Sequence, residues 1–375
     1  MARFRTRLRK VCAVAALSAS GFVSPQAFAA ADSPRCVVPA GTVPFEFASD
    51  GNRLRGFIDL PATAGRHPAI VIVHGSGTTD VAKGEGTYNG SYREMRAAFR
   101  SAGIATVVWD KAGNGCSDGR YMHVDDVYAR ANEIIVAVEA LQARGDIDDS
   151  RIGVWGISQG GWVAPIAAVR SPAIKYLILV SGPGKDFFST SEYQAVNQLR
   201  ADGVPEQDIE AAISAMRRAL IVMRAGGTYE EFTKASEPLL KYPVFGKQLG
   251  ITGGTPETYA KGKSPPFMRI WTTSADTYLS GLEVPLLAIF GDRDVKINWR
   301  ESVRAYREAY ERAGNRDLTI KVFEGANHEL FPVNPAKAAQ SPHASPLVPD
   351  YLATMIGWLR ARDFTAPAAT VKATK

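Results

Sequence analysis

Residues Ile152-Gly153-Val154-Trp155-Gly156-Ile157-Ser158-Gln159-Gly160-Gly161-Trp162 constrain the fold of this chain more than any other stretch. An apolar run leads into Gly-x-Ser-x-Gly and out into a helix-like segment, so a serine is expected at a sharp strand-to-helix corner, a nucleophile elbow. Such a corner holds its central residue in a strained conformation. Gly156 and Gly160, two positions either side, let neighbouring backbone pass close to it. The pentapeptide also arises by chance in a chain with 34 glycines, so its meaning rests on what surrounds it.

What surrounds it is an alternation of short apolar runs and helical patterns, the signature of strands joined by crossover helices in a mostly parallel sheet. Arg53 to Leu60 reads as an early strand with alternating faces, closed by Pro61. Ala69 to Val73 and Ala105 to Trp109 are uninterrupted apolar runs, as expected of strands buried on both faces, with a helix from Tyr92 to Ala102 between them. Val124 to Ala143 reads as a helix, Ile152 to Trp155 as the strand feeding the corner, and Ile174 to Val180 as the next strand. The expected core is a doubly wound α/β sheet.

From about Pro183 to Leu282 the alternation stops. Helical patterns with Phe187, Phe188, Tyr193, Tyr229, Phe232, Tyr242, Phe245, Phe267 and Trp271 fill roughly a hundred residues, too many for a loop, and read as an inserted helical cap. The alternation resumes with a strand from Val284 to Phe290, a helix from Trp299 to Ala313, a strand from Leu318 to Phe323 and a helix from Tyr351 to Arg362. The expected organisation is a first core part over 30–183, a cap over 184–282, a second core part over 283–364 and a disordered tail over 365–375.

Residues 1–29 read as an address. Arg3, Arg5, Arg7, Arg9 and Lys10 precede an apolar run from Val11 to Val23, too short to span a bilayer comfortably, and Ala27-Phe28-Ala29 is an A-x-A cleavage site. A secretory signal peptide, export to the periplasm or the medium, and no stable membrane association after cleavage are expected, with an uncleaved membrane anchor as the alternative reading of the leader. The net charge of +6 includes this leader, and removing its five cations leaves about +1. The basicity therefore says nothing about nucleic acid, and no cationic cluster interleaved with aromatics argues for it. Cleavage also removes Cys12, leaving Cys36 and Cys116 as a disulfide or as two separate cysteines in an oxidising compartment.

A serine hydroxyl is a poor nucleophile until an imidazole takes its proton and a carboxylate holds that imidazole in the right tautomer. Phe290-Gly291-Asp292-Arg293-Asp294 follows a strand, where an acid belongs after the serine in chain order. Two aspartates compete there; Asp294 is taken as the acid and Asp292 as a structural residue of the same turn. Gly325-Ala326-Asn327-His328 follows the final strand, so His328 is the candidate base. His67, His123 and His343 read as solvated or packing residues. Val73-His74-Gly75-Ser76-Gly77 ends the first buried strand, and its turn can aim backbone N–H groups at a developing oxyanion. Ser76 and Gln159 are the expected donors, while the His74 imidazole is expected to stabilise the turn.

With these pieces in hand, the chain resembles the α/β-hydrolase superfamily over nearly its whole length beyond the leader. The matching blocks are His-Gly-Ser-Gly at 74 to 77, Trp-Asp-Lys-Ala-Gly-Asn-Gly-Cys-Ser-Asp-Gly at 109 to 119, Gly-Ile-Ser-Gln-Gly-Gly at 156 to 161, Gly-Asp-Arg-Asp at 291 to 294 and Gly-Ala-Asn-His at 325 to 328. Within it the chain is similar to capped, exported, esterase-like members related to the prolyl oligopeptidase and dienelactone hydrolase branches, without a propeller. The resemblance implies Ser158 as nucleophile, Asp294 as acid, His328 as base, and the backbone of Ser76 and Gln159 as oxyanion hole. Ala112 and Asn114 depart from the residues commonly found in the 109-to-119 block, so that loop's contribution is open.

The leading functional expectation is hydrolysis of small-molecule carboxylic esters through an acyl-enzyme. A secreted serine peptidase or amidase of the prolyl oligopeptidase type is the first alternative, and an inactive hydrolase-fold binding protein the second. No metal or organic cofactor is implied, since no Cys/His ligand spacing or phosphate-binding glycine loop is evident. Trp162 and cap aromatics are candidates to line an apolar substrate pocket, although most of these rings can equally form the cap's own core.

Overall fold

The computed structural model describes residues 38–80, 89–120, 126–247, 249, 251–263, 273–333 and 347–366. The expected signal peptide, Cys36, His123, His343, Phe267 and Trp271 lie outside the described residues, as does most of the 365–375 tail.

Eight strands form one sheet: β1 (Val43–Ser49), β2 (Asn52–Asp59), β3 (His67–Val73), β4 (Ala105–Trp109), β5 (Ile147–Ile157), β6 (Leu177–Val180), β7 (Leu286–Gly291) and β8 (Leu318–Phe323), in the order β1-β2-β4-β3-β5-β6-β7-β8. β1 and β2 form an antiparallel hairpin that adds antiparallel to β4, and the strands from β4 to β8 are parallel. This is the α/β-hydrolase fold. All seven residues of β3 and all five of β4 are buried. Alternate side chains serve two cores: Ala69, Val71 and Val73 enter one apolar cluster, Ile70 and Ile72 the other. A strand covered on both faces has no need of polar alternation.

Helices α1 (Asn89–Ser101), α2 (Val127–Gln142), α3 (Gly160–Arg170), α10 (Trp299–Ala313) and α11 (Tyr351–Arg360) cover the sheet. Tyr92, Met95 and Phe99 of α1 join Tyr351, Met355 and Trp358 of α11 on one face, while Ala131, Ile134 and Val138 of α2 join Val163, Ile166 and Ala167 of α3 on the other. The described part of α2 begins at Val127, where the Asp126 carboxylate accepts the N–H groups of Tyr128 and Ala129 and satisfies donors the helix cannot.

Between β6 and β7 the described residues are helical: α4 (Phe187–Ala201), α5 (Glu206–Arg224), α6 (Tyr229–Ser236), α7 (Pro243–Lys247), α8 (Pro256–Gly262) and α9 (Ala275–Leu279). The rings of Tyr229 and Phe232 pack 5.7 and 4.8 Å from that of Tyr259, and the Tyr259 hydroxyl donates to the Gly227 carbonyl at 2.8 Å. These aromatics pack on one another within the helical segment. Thr365, read from sequence as the start of the tail, is buried, and its carbonyl accepts from the Arg151 guanidinium at 2.8 Å.

Candidate active site

The corner after β5 has the geometry its sequence demands. Ser158 sits at φ 55°, a left-handed conformation that costs any residue with a Cβ. Its N–H donates to the Val180 carbonyl at the end of β6 at 2.9 Å, and its own carbonyl accepts from Gly161 at 2.8 Å as α3 begins. A Cβ on Gly156 would lie 2.9 Å from the Gly160 carbonyl oxygen, and one on Gly160 would lie 3.0 Å from that of Val73. The approach of backbone leaves no room for a Cβ at Gly156 and only a tight fit for one at Gly160.

The candidate acid and histidine follow the strands two and three places along the sheet from β5. Asp294 follows β7 and His328 follows β8; both are buried, and His328 Nδ1 lies 2.8 Å from Asp294 Oδ2. The other carboxylate oxygen of Asp294 accepts the backbone N–H groups of Lys296 at 2.8 Å and Ile297 at 2.9 Å, which fixes the plane of the group. An ionised carboxylate only accepts, so the proton of a neutral His328 resides on Nδ1 and Nε2 keeps its lone pair. Asp292 instead accepts the Gly325 N–H at 2.7 Å and ties the acid turn to the histidine turn.

Four further residues hold these turns; the sequence reading passed over Ser181, Lys296 and Glu329 and named Tyr193 only as one of the cap aromatics. Ser181 donates its hydroxyl to the His328 carbonyl at 2.8 Å; it directly follows Val180, the acceptor of the Ser158 N–H. Serine corner and histidine turn therefore hang on one strand end. Lys296 pairs with Glu329 at 2.6 Å, joining the residues beside Asp294 and His328. Burial pushes the Glu329 carboxyl up, but its electrostatic interactions with His328 and Lys296 and the Lys296 hydrogen bond outweigh it and hold the group below its ordinary value. Tyr193, on α4, donates to the Asp294 carbonyl at 3.1 Å. A serine after a strand, a lysine two residues past an aspartate and a lone tyrosine are too common to be read as signals.

The turn after β3 is held from beneath. Lys111 Nζ donates to the carbonyls of Gly75 at 2.7 Å and Gly77 at 2.8 Å, and the Arg130 guanidinium donates to the His74 carbonyl at 3.0 Å and the Gln159 side-chain oxygen at 2.7 Å. Both cations are buried, at 2% and 6% exposure. Asn114, whose place in its block was open from sequence, accepts the Thr79 N–H at 3.0 Å. Among the described residues, no protein acceptor takes the backbone N–H of Ser76 or of Gln159.

The His74 ring stacks on Tyr92 at 5.3 Å. Burial first, then the positive charges of Lys111, Arg130 and Arg96, push its pKa well below 6.5, so it is neutral in the folded protein at mildly acidic pH. The unfolded chain takes up this proton as pH falls through about 6.5 while the folded protein does not. Stability should consequently fall by about 1.4 kcal/mol per pH unit from this group on the acid side of that value. Urea unfolding between pH 7 and pH 5 should show a flatter acid slope for His74→Gln than for wild type; equal slopes would contradict the assignment.

Trp162 is 5% exposed, its indole N–H donates to the Lys185 carbonyl at 2.9 Å and its ring lies 5.9 Å from that of Phe187. It packs in the core and ties α3 to the start of the helical segment. Among the described residues, no three His, Cys, Asp or Glu side chains gather as a metal-ligand set, and no helix is long and apolar enough to cross a membrane. Cys116 is disulfide-bonded.

Residues 70–340 match the model of the alpha/beta hydrolase family. The chain is 23% identical over 290 residues to esterase EstD of Thermotoga maritima, covering 75% of this chain and 58% of the esterase, so the match spans less than two thirds of that relative's length. It is 24% identical over 261 residues to a monoacylglycerol lipase of Mycolicibacterium smegmatis, covering 68% of this chain and 82% of the lipase. Among solved structures, DcsB in complex with its substrate analogue superposes with a TM-score of 0.54 at 18% identity, over 87% of this chain and all of the other. An esterase of Pyrococcus furiosus gives 0.51 at 18% identity, over 85% and 91% of the two chains. At these identities the structures speak for the fold alone. A matching family model over most of the chain, on a sheet of this order, makes the protein a member of the alpha/beta hydrolase family.

Proposed function

We propose that the protein is an exported serine hydrolase that cleaves small-molecule carboxylic esters, with Ser158 as nucleophile, His328 as base, Asp294 as the carboxylate that orients it, and the N–H groups of Ser76 and Gln159 as oxyanion hole. The observation that carries the reading is the 2.8 Å contact of His328 Nδ1 with a carboxylate fixed by two backbone donors, at the strand-end rim that also carries the strained Ser158 corner. His328 Nε2 takes the Ser158 proton as Oγ attacks the ester carbonyl, and the oxyanion rests on the two N–H groups. Collapse expels the alcohol with the proton from His328. A water then gives its proton to His328 and attacks the acyl-enzyme, releasing the acid and restoring Ser158.

An esterase and a lipase among the relatives support an ester substrate over an amide. The disulfide at Cys116 supports an oxidising compartment, in keeping with the leader at 1–29. A fluorophosphonate probe should label the folded protein, with the adduct mapped by peptide mass spectrometry to the Ser158 peptide. Failure to label folded protein would remove the reading. Comparison of p-nitrophenyl esters with aminoacyl anilides should show faster ester cleavage; faster anilide cleavage would make the protein an amidase.

A further inference from the structure

We infer that Arg130 is a positioning residue for the oxyanion hole: its guanidinium locks the two chain segments that donate to the hole into one register, with Lys111 bracing one of them. The inference rests on the serine-hydrolase reading above. The two donors come from distant parts of the sequence, the turn after β3 and the first residue before α3; β3 and β5 pair as far as Val73 and Gly156, and beyond that pairing a side chain that touches both segments can fix their spacing. Arg130 does, through the His74 carbonyl at 3.0 Å on one side and the Gln159 side-chain oxygen at 2.7 Å on the other. It stands on α2, a helix packed against α3, and its planar fork can hold several acceptors at fixed angles where an ammonium cannot.

Peptide geometry turns this grip into direction. Across a trans peptide the carbonyl of one residue and the N–H of the next point opposite ways. The Gly75 carbonyl is drawn onto Lys111 at 2.7 Å and lies 3.5 Å from Arg130, so the Ser76 N–H is turned away from both cations. Gly77, at φ 98°, lets the chain reverse so that its carbonyl also reaches Lys111 at 2.8 Å. Lys111 is itself seated by the neighbouring block, where Asp110 accepts the Cys116 N–H at 3.2 Å and the Ser117 hydroxyl donates to the Asp110 carbonyl at 2.6 Å. The two buried positive charges also lie behind the point where negative charge develops. An aligned donor placed in advance needs no reorganisation during the reaction.

The test measures kcat, KM, fluorophosphonate labelling rate and Tm for wild type, Arg130→Met, Arg130→Lys and Gln159→Met, using p-nitrophenyl butyrate. Arg130→Met should lose about 100-fold in kcat and in labelling rate, comparable with loss of one oxyanion donor, with KM within about threefold. Arg130→Lys should recover roughly tenfold of this by reaching part of the acceptor set, and Gln159→Met, which keeps the backbone donor but frees its side chain from the clamp, should lose roughly tenfold in kcat. A purely structural role would lower Tm and leave kcat of the folded fraction unchanged. Folded Arg130→Met with wild-type kcat, or with its loss carried by KM, overturns the inference. Should Arg130→Met not fold, wild-type kcat in both Arg130→Lys and Gln159→Met overturns it equally. A wild type that neither labels nor turns over overturns the serine-hydrolase reading as well, a result distinct from an active wild type with an equally active Arg130→Met.

Discussion

Ser158→Ala and Ser158→Gly should both lose about 10⁶-fold in kcat, and the glycine variant should be the more stable of the two by about 1 kcal/mol. The shared loss reports the hydroxyl, since neither side chain can form an acyl-enzyme. The difference reports the backbone. At φ 55° alanine keeps the Cβ that crowds the following carbonyl, at a cost of about 1–2 kcal/mol, whereas glycine adopts this conformation freely. The larger conformational entropy of an unfolded glycine cancels part of that gain, by roughly 0.4–1 kcal/mol. Ordinarily Gly→Ala at a permissive site stabilises; here the order should invert. Paired urea or thermal unfolding curves measure it, and an alanine variant at least as stable as the glycine one would show that the corner stores no strain.

Asp294→Asn should lower kcat by about 10⁴-fold with little change in stability or KM. The reason lies in the oxygen that does not face the histidine. Asp294 Oδ1 accepts two backbone N–H groups, at 2.8 and 2.9 Å, so an asparagine must direct its carbonyl oxygen there to avoid setting donor against donor. That choice turns its NH₂ toward His328 Nδ1, where Oδ2 now lies at 2.8 Å. The imidazole would then accept at Nδ1 and carry its proton on Nε2, the atom that has to receive one from serine. Steady-state kinetics against pH measures the effect. A kcat within tenfold of wild type at neutral pH would mean that Asp294 is not the orienting carboxylate.

Much of this architecture could be read from residues because burial on both faces writes itself as unbroken apolar runs, as in β3 and β4. Serine, acid and histidine were legible for a related reason: each follows such a run, where parallel strands deliver their C-terminal ends to one rim. The first strand was missed. Its signal was present in Asp50-Gly51, both at positive φ between the alternating residues of β1 and β2, the pattern of a tight hairpin turn. Attention to long apolar runs hides a strand whose buried residues alternate with exposed ones. β5 likewise begins at Ile147, ahead of the expected Ile152; Asp148 to Arg151, which follow it, are polar and exposed in part and hide its start. Lys111 and Arg130 could not be found by pattern at all. Their role depends on which carbonyls they meet, at separations of 34 to 56 residues, and cations buried beside a turn look in sequence like any surface charge.

The neighbouring strands β6 and β7 pair directly, Leu177 with Leu286 through Val180 with Ile289, although about a hundred residues intervene between them. The sheet thus closes without regard to what the chain does on its excursion. Doubling the length of a flexible connection adds only about 0.6 kcal/mol to closing it. Another excursion with compatible ends could alter what meets the rim while the turns after β5, β7 and β8 stay in place, provided it supplies an equivalent of the Tyr193 contact with the Asp294 carbonyl. Selectivity and chemistry can in this way diversify on separate genetic terms.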